Sequence, residues 1–481
     1  MPGQPGGVDG DLGQEKGGSG GAIGGGAGLG RVLRGRHGKS LVQAKGNGNA
    51  SWENRSVDYR DLADHLLRRA RALGADAADV LVAEGTDFSV TVRKGEVETL
   101  KDAGSKALGL RVFVGRRTAS SYTSDFSPPV LETLVGDTVD MARVTGEDAA
   151  AGLPDEAPPA EEIDLGLFDP SPAAPEITNS QGGTYGSDEG FVVLANTNGF
   201  MGSYRSSGVA LSVVPVAERD GHMERDYWFT NGRGLGDLLE PEEVGRIAAE
   251  RTLARLGARK VPTCEVPIVF DPETAAELLG TLFRGLSGYS VFRNATFLKD
   301  RVGQQVASPL LSLVDDGRRP RGLGSRPFDG EGLPTRRNVP LENGVVRHFL
   351  CDSYSARKIG ARPTGSARRG VGGGPSVGAG NLSFEPGSTP PEQIVGEVER
   401  GLYVTDLIGF GVDLVSGDYS QGAVGHWIEK GRLVHPVHEV TIAGNLQQML
   451  LDVDRVGTDL VWRSSSASPT LRIRRMTVSG S

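Results

Sequence analysis

The chain has 481 residues, a length that predicts two or three domains, each large enough to bury its own core. Its 52 Lys and Arg residues against 61 Asp and Glu residues give a net charge of −9, which disfavours nucleic-acid binding because such proteins normally present a basic face. No segment approaches the roughly 20 apolar residues that span a bilayer, and no secretory signal is visible. Because Cys264 and Cys351 are the only cysteines, a disulfide framework is excluded and a cytoplasmic location is predicted.

The first 55 residues are predicted to form a disordered, glycine-rich tail. Eighteen of the first fifty positions are Gly, and so few apolar residues accompany them that burial cannot offset the entropy of ordering the chain. Four basic residues of the tail, Arg31, Arg34, Arg36 and Lys39, lie close together and leave open a contact with an acidic partner or nucleic acid. We favour a solvated tail.

Residues 56–260 are predicted to form an N-terminal α+β domain. Apolar residues at helical spacing predict helices over 58–73, with Gly74 after the last turn, over 128–141 and over 241–256. Short β-branched segments predict strands over 79–83, 88–93, 97–100, 107–114, 191–195, 209–218 and 224–230. Segment 146–160 is rich in Ala, Pro and acidic residues and is predicted to be an exposed connection.

Residues 261–481 are predicted to form a second, mainly β domain, so that the fold class is α+β. A strand over 263–270 precedes Asp271, which is placed as the N-cap of a helix over 272–286 that begins with Pro272. Further strands are predicted over 345–350, 402–414, 425–430, 439–442 and 471–478. Residues 417–420 have the composition of a turn between two strands.

The histidines and cysteines offer little for a metal or nucleophilic site. No two of the seven histidines lie four residues apart on a predicted helix, the spacing that a hydrolytic zinc helix needs. His435 and His438 would point to opposite faces of a strand unless a bulge intervened. His348 and Cys351 suggest a thiol nucleophile, but a packed, buried role for Cys351 is the interpretation we favour.

Glycines recur between 370 and 380 in a pattern that matches no phosphate-binding loop. This segment lacks the strand, tight turn and helix of a dinucleotide site, and no Gly-Lys-Ser/Thr motif is present. We interpret these glycines as positions where two backbones approach closely. The functional alternative is that the segment forms a mobile flap over a peptide groove.

Residues 402–445 read LYVTDLIGFGVDLVSGDYSQGAVGHWIEKGRLVHPVHEVTIAGN, and this block resembles the C-terminal signature of the TldD/PmbA family. The pieces VTDLIGFGV, SGDYSQGAVG, WIEKG and PVHEVTIAGN occur in the family's order, as do the upstream segments FDGEG at 328–332 and SYSARK at 353–358. The resemblance covers about residues 58 to 481 and excludes the glycine-rich tail.

The resemblance implies a cytoplasmic bacterial or archaeal protein from a heterodimeric zinc metallopeptidase system. In that family the TldD-type subunit holds zinc with a His-Glu-x-x-x-His helix and a C-terminal Cys, whereas the TldE/PmbA-type subunit lacks these residues. Such complexes degrade or mature short or unfolded peptides, and the family has also been associated with modulation of DNA gyrase. Here the helix after Asp271 has no His, segment 280–285 reads GTLFRG, and residues 466–469 contain no Cys.

The resemblance therefore implies a TldE/PmbA-type subunit that binds no cofactor itself and has no catalytic residue or metal ligand. Zinc is expected in a TldD-type partner subunit. Candidate residues for a substrate groove are Asp418, Tyr419, Ser420 and Gly422, and candidate residues for a lid or an interface are Gly372, Gly373 and Gly374. The expected partners are this TldD-type subunit and a peptide substrate, with no membrane and no nucleic acid.

Several alternatives stay open at this point. The chain alone could form a homodimer, and whether it is itself an enzyme is undecided. One alternative function is an active metallopeptidase with an unconventional metal site drawn from His348, Cys351, His435 and His438. Another is a regulatory binding protein similar to modulators of DNA gyrase.

Overall fold

The computed structural model describes residues 58–156, 158–161, 163–170, 182–409 and 411–480. The predicted tail over 1–55 lies outside these residues, and the predicted domain boundary at residue 260 stays a prediction. The helices are α1 (Tyr59–Ala72), α2 (Pro128–Val144), α3 (Pro241–Arg255), α4 (Pro272–Gly285), α5 (Gly288–Phe292), α6 (Ser353–Ile359), α7 (Pro391–Gly396) and α8 (Leu446–Leu451). In the described part of the chain, no helix is long and apolar enough to cross a membrane.

Six antiparallel strands form the N-terminal sheet, in the order β3-β2-β1-β4-β5-β8. The strands of this part of the chain are β1 (Ala77–Arg93), β2 (Glu96–Val114), β3 (Arg117–Thr123), β4 (Gly183–Asn196), β5 (Met201–Val213), β6 (Val216–Arg219), β7 (His222–Arg225) and β8 (Trp228–Gly232). The four short strands predicted between 79 and 114 are two long ones, since β1 and β2 pair from Ala77↔Phe113 to Arg93↔Glu96. Main-chain hydrogen bonds continue the β1–β2 ladder through the polar middle of both strands. Apolar and polar side chains do not alternate there, so the sequence pattern did not predict a strand.

The two faces of this sheet have different neighbours because successive side chains of a strand point in opposite directions. Val80 and Leu110 pack with α1 and α2 in one buried cluster, whereas Leu81 and Leu194 pack with Phe328 from the C-terminal part of the chain. The predicted helix over 58–73 is α1, and Asp58 caps it by accepting a hydrogen bond from the amide of Arg60 at 2.8 Å. The second face of the sheet therefore forms an interface with the C-terminal part of the chain.

The C-terminal part contains a closed barrel. Its strands are β9 (Cys264–Phe270), β10 (Leu313–Asp316), β11 (Arg337–Glu342), β12 (Val345–Val346), β13 (Ala367–Arg368), β14 (Ser376–Val377), β15 (Asn381–Phe384), β16 (Arg400–Ile408), β17 (Asp418–Glu429), β18 (Arg432–Asn445), β19 (Val453–Val456), β20 (Ser466–Ala467) and β21 (Leu471–Ser479). One sheet has the order β18-β17-β16-β9-β21-β19, and an additional pairing of β18 with β21 closes five of these strands into a ring. The other sheet has the order β12-β11-β10-β15-β20. The predicted α+β class with a mainly β C-terminal part is confirmed.

Several predicted strands have different bounds in the structure. The strand predicted over 209–218 divides at Pro215, which has no amide hydrogen to donate to a ladder, and the one predicted over 224–230 divides between β7 and β8. The strand predicted over 402–414 ends at Ile408, and the one predicted over 345–350 ends at Val346. The strands predicted over 425–430 and 439–442 are parts of the longer β17 and β18.

The prediction of an exposed connection over 146–160 is wrong for its middle, residues 150–154. Ala150, Ala151 and Leu153 are buried. The guanidinium of Arg357 in α6 donates hydrogen bonds to the carbonyls of Ala150 at 3.1 Å and of Gly152 at 3.3 Å, and also to that of Leu153. A distant arginine thus holds this segment against the C-terminal part, which the local composition could not indicate.

Candidate functional site

Helix α4 is the element on which the resemblance places a zinc motif in TldD-type relatives. Asp271 caps it as predicted, because its carboxylate accepts a hydrogen bond from the amide of Thr274 at 2.8 Å. Leu278 and Leu282 point into the buried core that the barrel strands share. The opposite side of the helix presents Glu277 and Arg284 to solvent.

The residues of α4 do not fit a zinc ion. Zinc in hydrolases needs three protein ligands, drawn from His, Cys, Asp and Glu. Over the described ranges, no three such side chains are grouped so that they could hold a metal ion. The side of α4 away from the core offers two carboxylates one turn apart, Glu273, which is paired with Arg463 at 2.8 Å, and Glu277. It also carries the guanidinium of Arg284, which repels cations and bonds to the Thr281 hydroxyl at 3.1 Å.

Tyr419 of β17 lies beside this helix. It is buried, and its hydroxyl donates to the amide oxygen of Gln421 at 3.2 Å. Burial and the nearby carboxylate of Glu277 raise the pKa of Tyr419 above its usual range. The pKa of Glu277 is itself raised, by desolvation and by the negative charges of Asp406 and Asp271. The Tyr419 hydroxyl is therefore uncharged at neutral pH.

The predicted turn at 417–420 is wrong, because Asp418, Tyr419 and Ser420 are the first residues of β17. They pair with β18, as in Tyr419↔Gly444, and the chain turns just before them, over residues 414–416. Of the predicted turn only Gly417, with φ of +86°, lies outside the strand. On the other side of β17, the amide of Ser420 donates to the carbonyl of Gly411 at 2.7 Å.

Strand alternation separates the four groove candidates. Asp418 and Ser420 are exposed, Tyr419 is buried, and Gly422 is partly buried between Ile408 and Thr441. Because the backbone of this stretch is paired on both sides, a peptide would meet the Asp418 and Ser420 side chains rather than a free strand edge. Their role in a groove stays a prediction.

The glycine-rich segment 370–380 crosses the N-terminal sheet. Val371 packs in the apolar cluster with Leu81 and Phe328. A Cβ atom on Gly109 of β2 would lie 2.0 Å from the carbonyl oxygen of Val371, so that close approach of two backbones requires glycine there. The lid candidates differ, since Gly372 lies against the ring of Tyr122 whereas a Cβ atom on Gly373 or Gly374 would meet nothing within 4 Å. A lid or interface role for the three glycines stays a prediction.

The geometry around Cys351 agrees with a packed role and not with a thiol nucleophile. Burial raises the pKa of its thiol to about 12, so the thiol is protonated at neutral pH. The Sγ atom donates a long hydrogen bond to the carbonyl of Phe349 at 3.7 Å. Burial and the charge of Arg336 lower the pKa of His348, and no hydrogen bond joins the described side chains of His348 and Cys351.

His435 and His438 do have a bulge between them, as joint ligation would require. The pairing of β17 with β18 shifts between Ala423↔Val440 and Gly425↔Val437, and Glu439 has φ of +51°. The two imidazoles nevertheless have different partners. Nδ1 of His438 lies 3.6 Å from the carboxylate of Glu224, and Nδ1 of His435 contacts the carbonyl of Pro436 at 3.1 Å.

A buried charge network, which was not predicted from the sequence, lies at the interface of the N-terminal sheet with the C-terminal part. Asp79 of β1 forms ion pairs with Arg111 of β2 and with Arg369. Glu331, whose carboxylate accepts from the amide of Ser353 at 2.7 Å, lies near Arg111. Burial and the charge of Asp329 raise the pKa of Glu331. A charged residue in an otherwise apolar strand, such as Asp79 in the strand predicted over 79–83, could have indicated that a buried ion pair lies there.

Three family models match successive parts of the chain. Residues 78–142 match domain 1, residues 152–256 the central domain and residues 263–480 the C-terminal domain of PmbA/TldA metallopeptidases. The chain is 38% identical over 426 residues to "Metalloprotease PmbA" of Escherichia coli O157:H7, covering 84% of this chain and 93% of that protein. It is 32% identical over 455 residues to "Metalloprotease PmbA homolog" of Haemophilus influenzae, covering 90% of this chain and 99% of that protein.

Solved structures have the same fold. A candidate modulator of DNA gyrase from Bacteroides thetaiotaomicron superposes with a TM-score of 0.80 at 27% identity, covering 88% of this chain and 100% of that one. TldE from Thermococcus kodakarensis superposes with a TM-score of 0.77 at 22% identity, covering 87% and 99%, and this likeness concerns the fold alone. From the three matched segments and the nearly full-length relatives, we conclude that this chain belongs to the PmbA/TldD metallopeptidase family.

Proposed function

We propose that this chain is the TldE/PmbA-type, non-catalytic subunit of a heterodimeric, TldD/TldE-like zinc metallopeptidase. The complex would degrade or mature short or unfolded peptides in the cytoplasm. Family membership supports the peptidase system, and the absence of ligand chemistry on α4 supports the assignment to the subunit without zinc.

The observation that carries the proposal is the chemistry of the exposed side of α4. A hydrolytic zinc helix needs two imidazoles one turn apart, and a carboxylate to activate the metal-bound water. In this chain Gly280, Thr281 and Arg284 follow Glu277 on the helix, and none of these three can ligate zinc or accept the proton of a water. Cleavage of a peptide bond would therefore depend on a zinc ion held by the TldD-type subunit.

Exposed apolar residues beside α4 offer a surface for that subunit or for a peptide. The side chains of Ile408, at the end of β16, and of Val415, in the following loop, are 60% and 58% exposed. The exposed Asp418 and Ser420 follow directly in the chain. This combination of apolar contact area with a few polar groups suits binding of peptides of varied sequence.

A second place suits an extended peptide. Strand β3 covers β2 only from Leu108 to Val114, so within the described residues the stretch 97–106 has no strand on its outer side. Free amide and carbonyl groups along such an edge bind an extended chain with little dependence on its sequence. The lid candidates Gly372 to Gly374 lie near the same end of the sheet, since Gly372 contacts Tyr122 of β3.

The test is a reconstitution with metal analysis. The chain, without a histidine tag, is purified alone and after co-expression with a TldD-type subunit from the same organism, and zinc and oligomeric state are measured for each. We expect no stoichiometric zinc in the chain alone, one complex containing both subunits with one zinc, and chelator-sensitive cleavage of unfolded peptides by that complex only. Replacement of the zinc-ligating histidines in the partner should abolish cleavage.

Two results would overturn the proposal. About one zinc per chain, with peptidase activity of the chain alone, would favour the alternative of an unconventional metal site. Substitutions of His348, Cys351, His435 and His438 by Ala would then locate it. Failure of the two subunits to associate would contradict the heterodimer. Binding of the chain alone to DNA gyrase, with a change in its activity, would instead support the regulatory alternative.

A further inference from the structure

Strand β5 has an outer edge that no other strand covers in its first half. Strand β4 pairs with β5 along the inner side, whereas β8 covers the outer side only over 209–213. The amide of Ser207 donates to the carbonyl of Leu167 at 2.8 Å, so another segment of the chain lies beside the edge at that point. Within the described residues, no strand lies outside residues 201–206, which we call the β5 edge.

The contact at Ser207 shows which backbone groups of the β5 edge point outward. In an antiparallel strand the amide and carbonyl of one residue point to one side, and those of the next residue to the other side. The Ser207 amide points outward, and the pairing of β4 with β5 has no bulge, so the amide and carbonyl of Ser203 also point outward. In the described part of the chain, no group bonds to the amide or carbonyl of Ser203. An added strand could therefore bond to both.

A cavity of about 640 Å³ lies along the β5 edge, between it and residues 163–168. Its volume is within the range of ligand sites in proteins. The lining includes the buried side chains of Leu165 and Phe328 and the partly buried ring of Tyr204, which packs edge-on against Phe328 with 5.3 Å between the ring centroids. Exposed residues form the mouth, so the cavity opens to solvent.

Arg60 of α1 supplies a positive charge at this mouth. Its guanidinium donates to the Ser203 hydroxyl at 2.9 Å, and no carboxylate of the described residues forms an ion pair with it. The two acidic side chains at the mouth have other partners. Glu161 pairs with Arg318 at 2.7 Å, and Asp164 accepts a hydrogen bond from an amide of its own turn at 2.9 Å. The cavity thus combines an apolar lining with a positive charge that no described carboxylate neutralises.

The two faces of the β5 edge differ in chemistry. The Ser203 side chain lies on the face where Arg60 binds it. Gly202 and Tyr204 face the other way, towards Phe328, since a Cβ atom on Gly202 would lie 2.6 Å from the Phe328 ring. In an added strand, the residue opposite Ser203 would point towards Arg60, and its two neighbours would point towards the aromatic rings. An acidic residue between two apolar residues matches this arrangement.

We propose that the β5 edge binds an extended peptide by strand addition, and that the peptide carries an acidic residue between two apolar ones. Main-chain hydrogen bonds to the edge would hold the peptide, and the side chains would select its sequence. The inference rests on the proposed function only in that the ligand is a peptide. Binding at this edge needs neither zinc nor a partner subunit, so it can be measured on the chain alone.

The experiment uses a fluorescein-labelled peptide, Ser-Thr-Leu-Glu-Leu-Thr-Ser, and the full chain. Binding is followed by fluorescence anisotropy, and amide hydrogen exchange is measured with and without the peptide. We expect saturable binding and slower exchange over 201–206 in the complex. A peptide with Gln in place of Glu should bind about fivefold more weakly, because it cannot form an ion pair with Arg60.

Two further peptides test strand addition directly. Each carries one N-methyl group, on the glutamate or on the leucine that follows it. Because a strand ladder uses the amides of alternate residues, one of these peptides should lose binding and the other should keep it. Equal binding of the two would overturn the proposal.

Substitution Arg60→Met should weaken binding of the glutamate peptide about fivefold and leave binding of the glutamine peptide unchanged. Arg60→Lys should retain part of the preference for glutamate. The matched control is Arg68→Met, which removes another exposed arginine of α1, paired with Asp64, and should bind both peptides as the unmodified chain does. Equal effects of Arg60→Met and Arg68→Met would contradict the role of Arg60 and overturn the proposed sequence preference.

Hydrogen exchange separates this inference from the proposed function. Slower exchange over 97–106 instead of 201–206 would place the peptide on β2, which contradicts the inference and leaves the proposed function intact. Exchange over 201–206 that is slow in the free chain and unchanged by peptide would show that another part of this chain fills the cavity, and would overturn the inference. Retained binding at the β5 edge, with no zinc-dependent cleavage by the two subunits together, would contradict the proposed function alone.

Discussion

Arg369, the residue directly before the glycine-rich segment, forms an ion pair with Asp79 of β1 in which both side chains are almost fully buried. Arg111 of β2 binds the same carboxylate, its Nε atom lying 2.9 Å from Oδ2. Despite its burial, the positive charges of Arg111 and Arg369 hold the pKa of Asp79 below its usual value. One carboxylate therefore links two neighbouring strands of the sheet to a loop nearly 300 residues away.

Substitution Asp79→Asn should destabilise the protein strongly. It would leave two buried guanidinium groups without their counter-charge, and removal of one partner from a buried ion pair typically costs about 3–5 kcal/mol. The free energy of unfolding in urea measures the effect. Glu385→Gln, which removes the exposed partner of Arg337, serves as the control and should change that free energy by less than about 1 kcal/mol. Equal effects of the two substitutions would contradict the structural importance of the buried pair.

Asp315 should make stability depend on pH in mildly acidic solution. Burial raises the pKa of this carboxyl from 3.8 to about 6, so the folded state holds its proton more tightly than the unfolded state does. Its contribution to stability is therefore present at low pH and is lost as pH rises from about 4 to about 6. Asp315→Asn, which cannot ionise, should gain up to about 3 kcal/mol relative to the unmodified chain between pH 4 and pH 7. Urea unfolding across this range provides the measurement, and parallel pH profiles of the two proteins would contradict the assignment.

Gly109→Ala should displace the glycine-rich segment from the sheet. The added methyl group would meet the carbonyl of Val371 at 2.0 Å, and a backbone contact of that kind can be relieved only by movement of the segment. We expect faster proteolysis and faster amide exchange over 370–375. The control is Gly373→Ala, because a Cβ atom there meets nothing within 4 Å and the segment should keep its protection. Similar behaviour of the two variants would argue against the contact.

Cys351 should resist alkylation in the folded protein. Its thiol is buried and has a pKa of about 12, so almost no thiolate is present at pH 8. Peptide mapping after treatment with iodoacetamide should find Cys264, which is partly exposed, modified before Cys351. In urea both should react at similar rates. Rapid modification of Cys351 in the native chain would reopen the interpretation of that residue as a nucleophile.

Local patterns predicted the four longest helices, α1 to α4, but not the short helices α5 to α8. The Asp271-Pro272 pair marked the start of α4, and the Pro128-Pro129 pair marked that of α2, because capping and proline geometry depend only on neighbouring residues. Strand lengths were underestimated. Polar residues between Glu84 and Lys106 interrupt the hydrophobic pattern, yet the antiparallel ladder of β1 and β2 continues through them.

Contacts between distant residues were beyond local reasoning. Nothing near Ala150 indicates that Arg357 binds it, and nothing near Arg233 indicates that its guanidinium binds the carbonyl of Gly322. For the candidate site, the sequence resemblance correctly indicated the family, and the absence of His in α4 could be read directly. The prediction of a turn at Asp418 was wrong because this residue begins β17, where it pairs with Asn445 of the neighbouring strand β18. Local composition does not show that distant pairing.

The closed barrel has a consequence for how the chain folds. Strand β9 lies between β16 and β21, although roughly 130 and 200 residues separate it from these neighbours in sequence. Closing such long loops costs entropy before any stabilising contact forms, so barrel assembly should be slow relative to the local β1–β2 hairpin. Until β21 arrives, the apolar strand Cys264–Phe270 keeps an unpaired edge, and a folding intermediate of this kind is prone to aggregate. Association with another chain at that stage would shorten the time for which the edge of this strand stays unpaired.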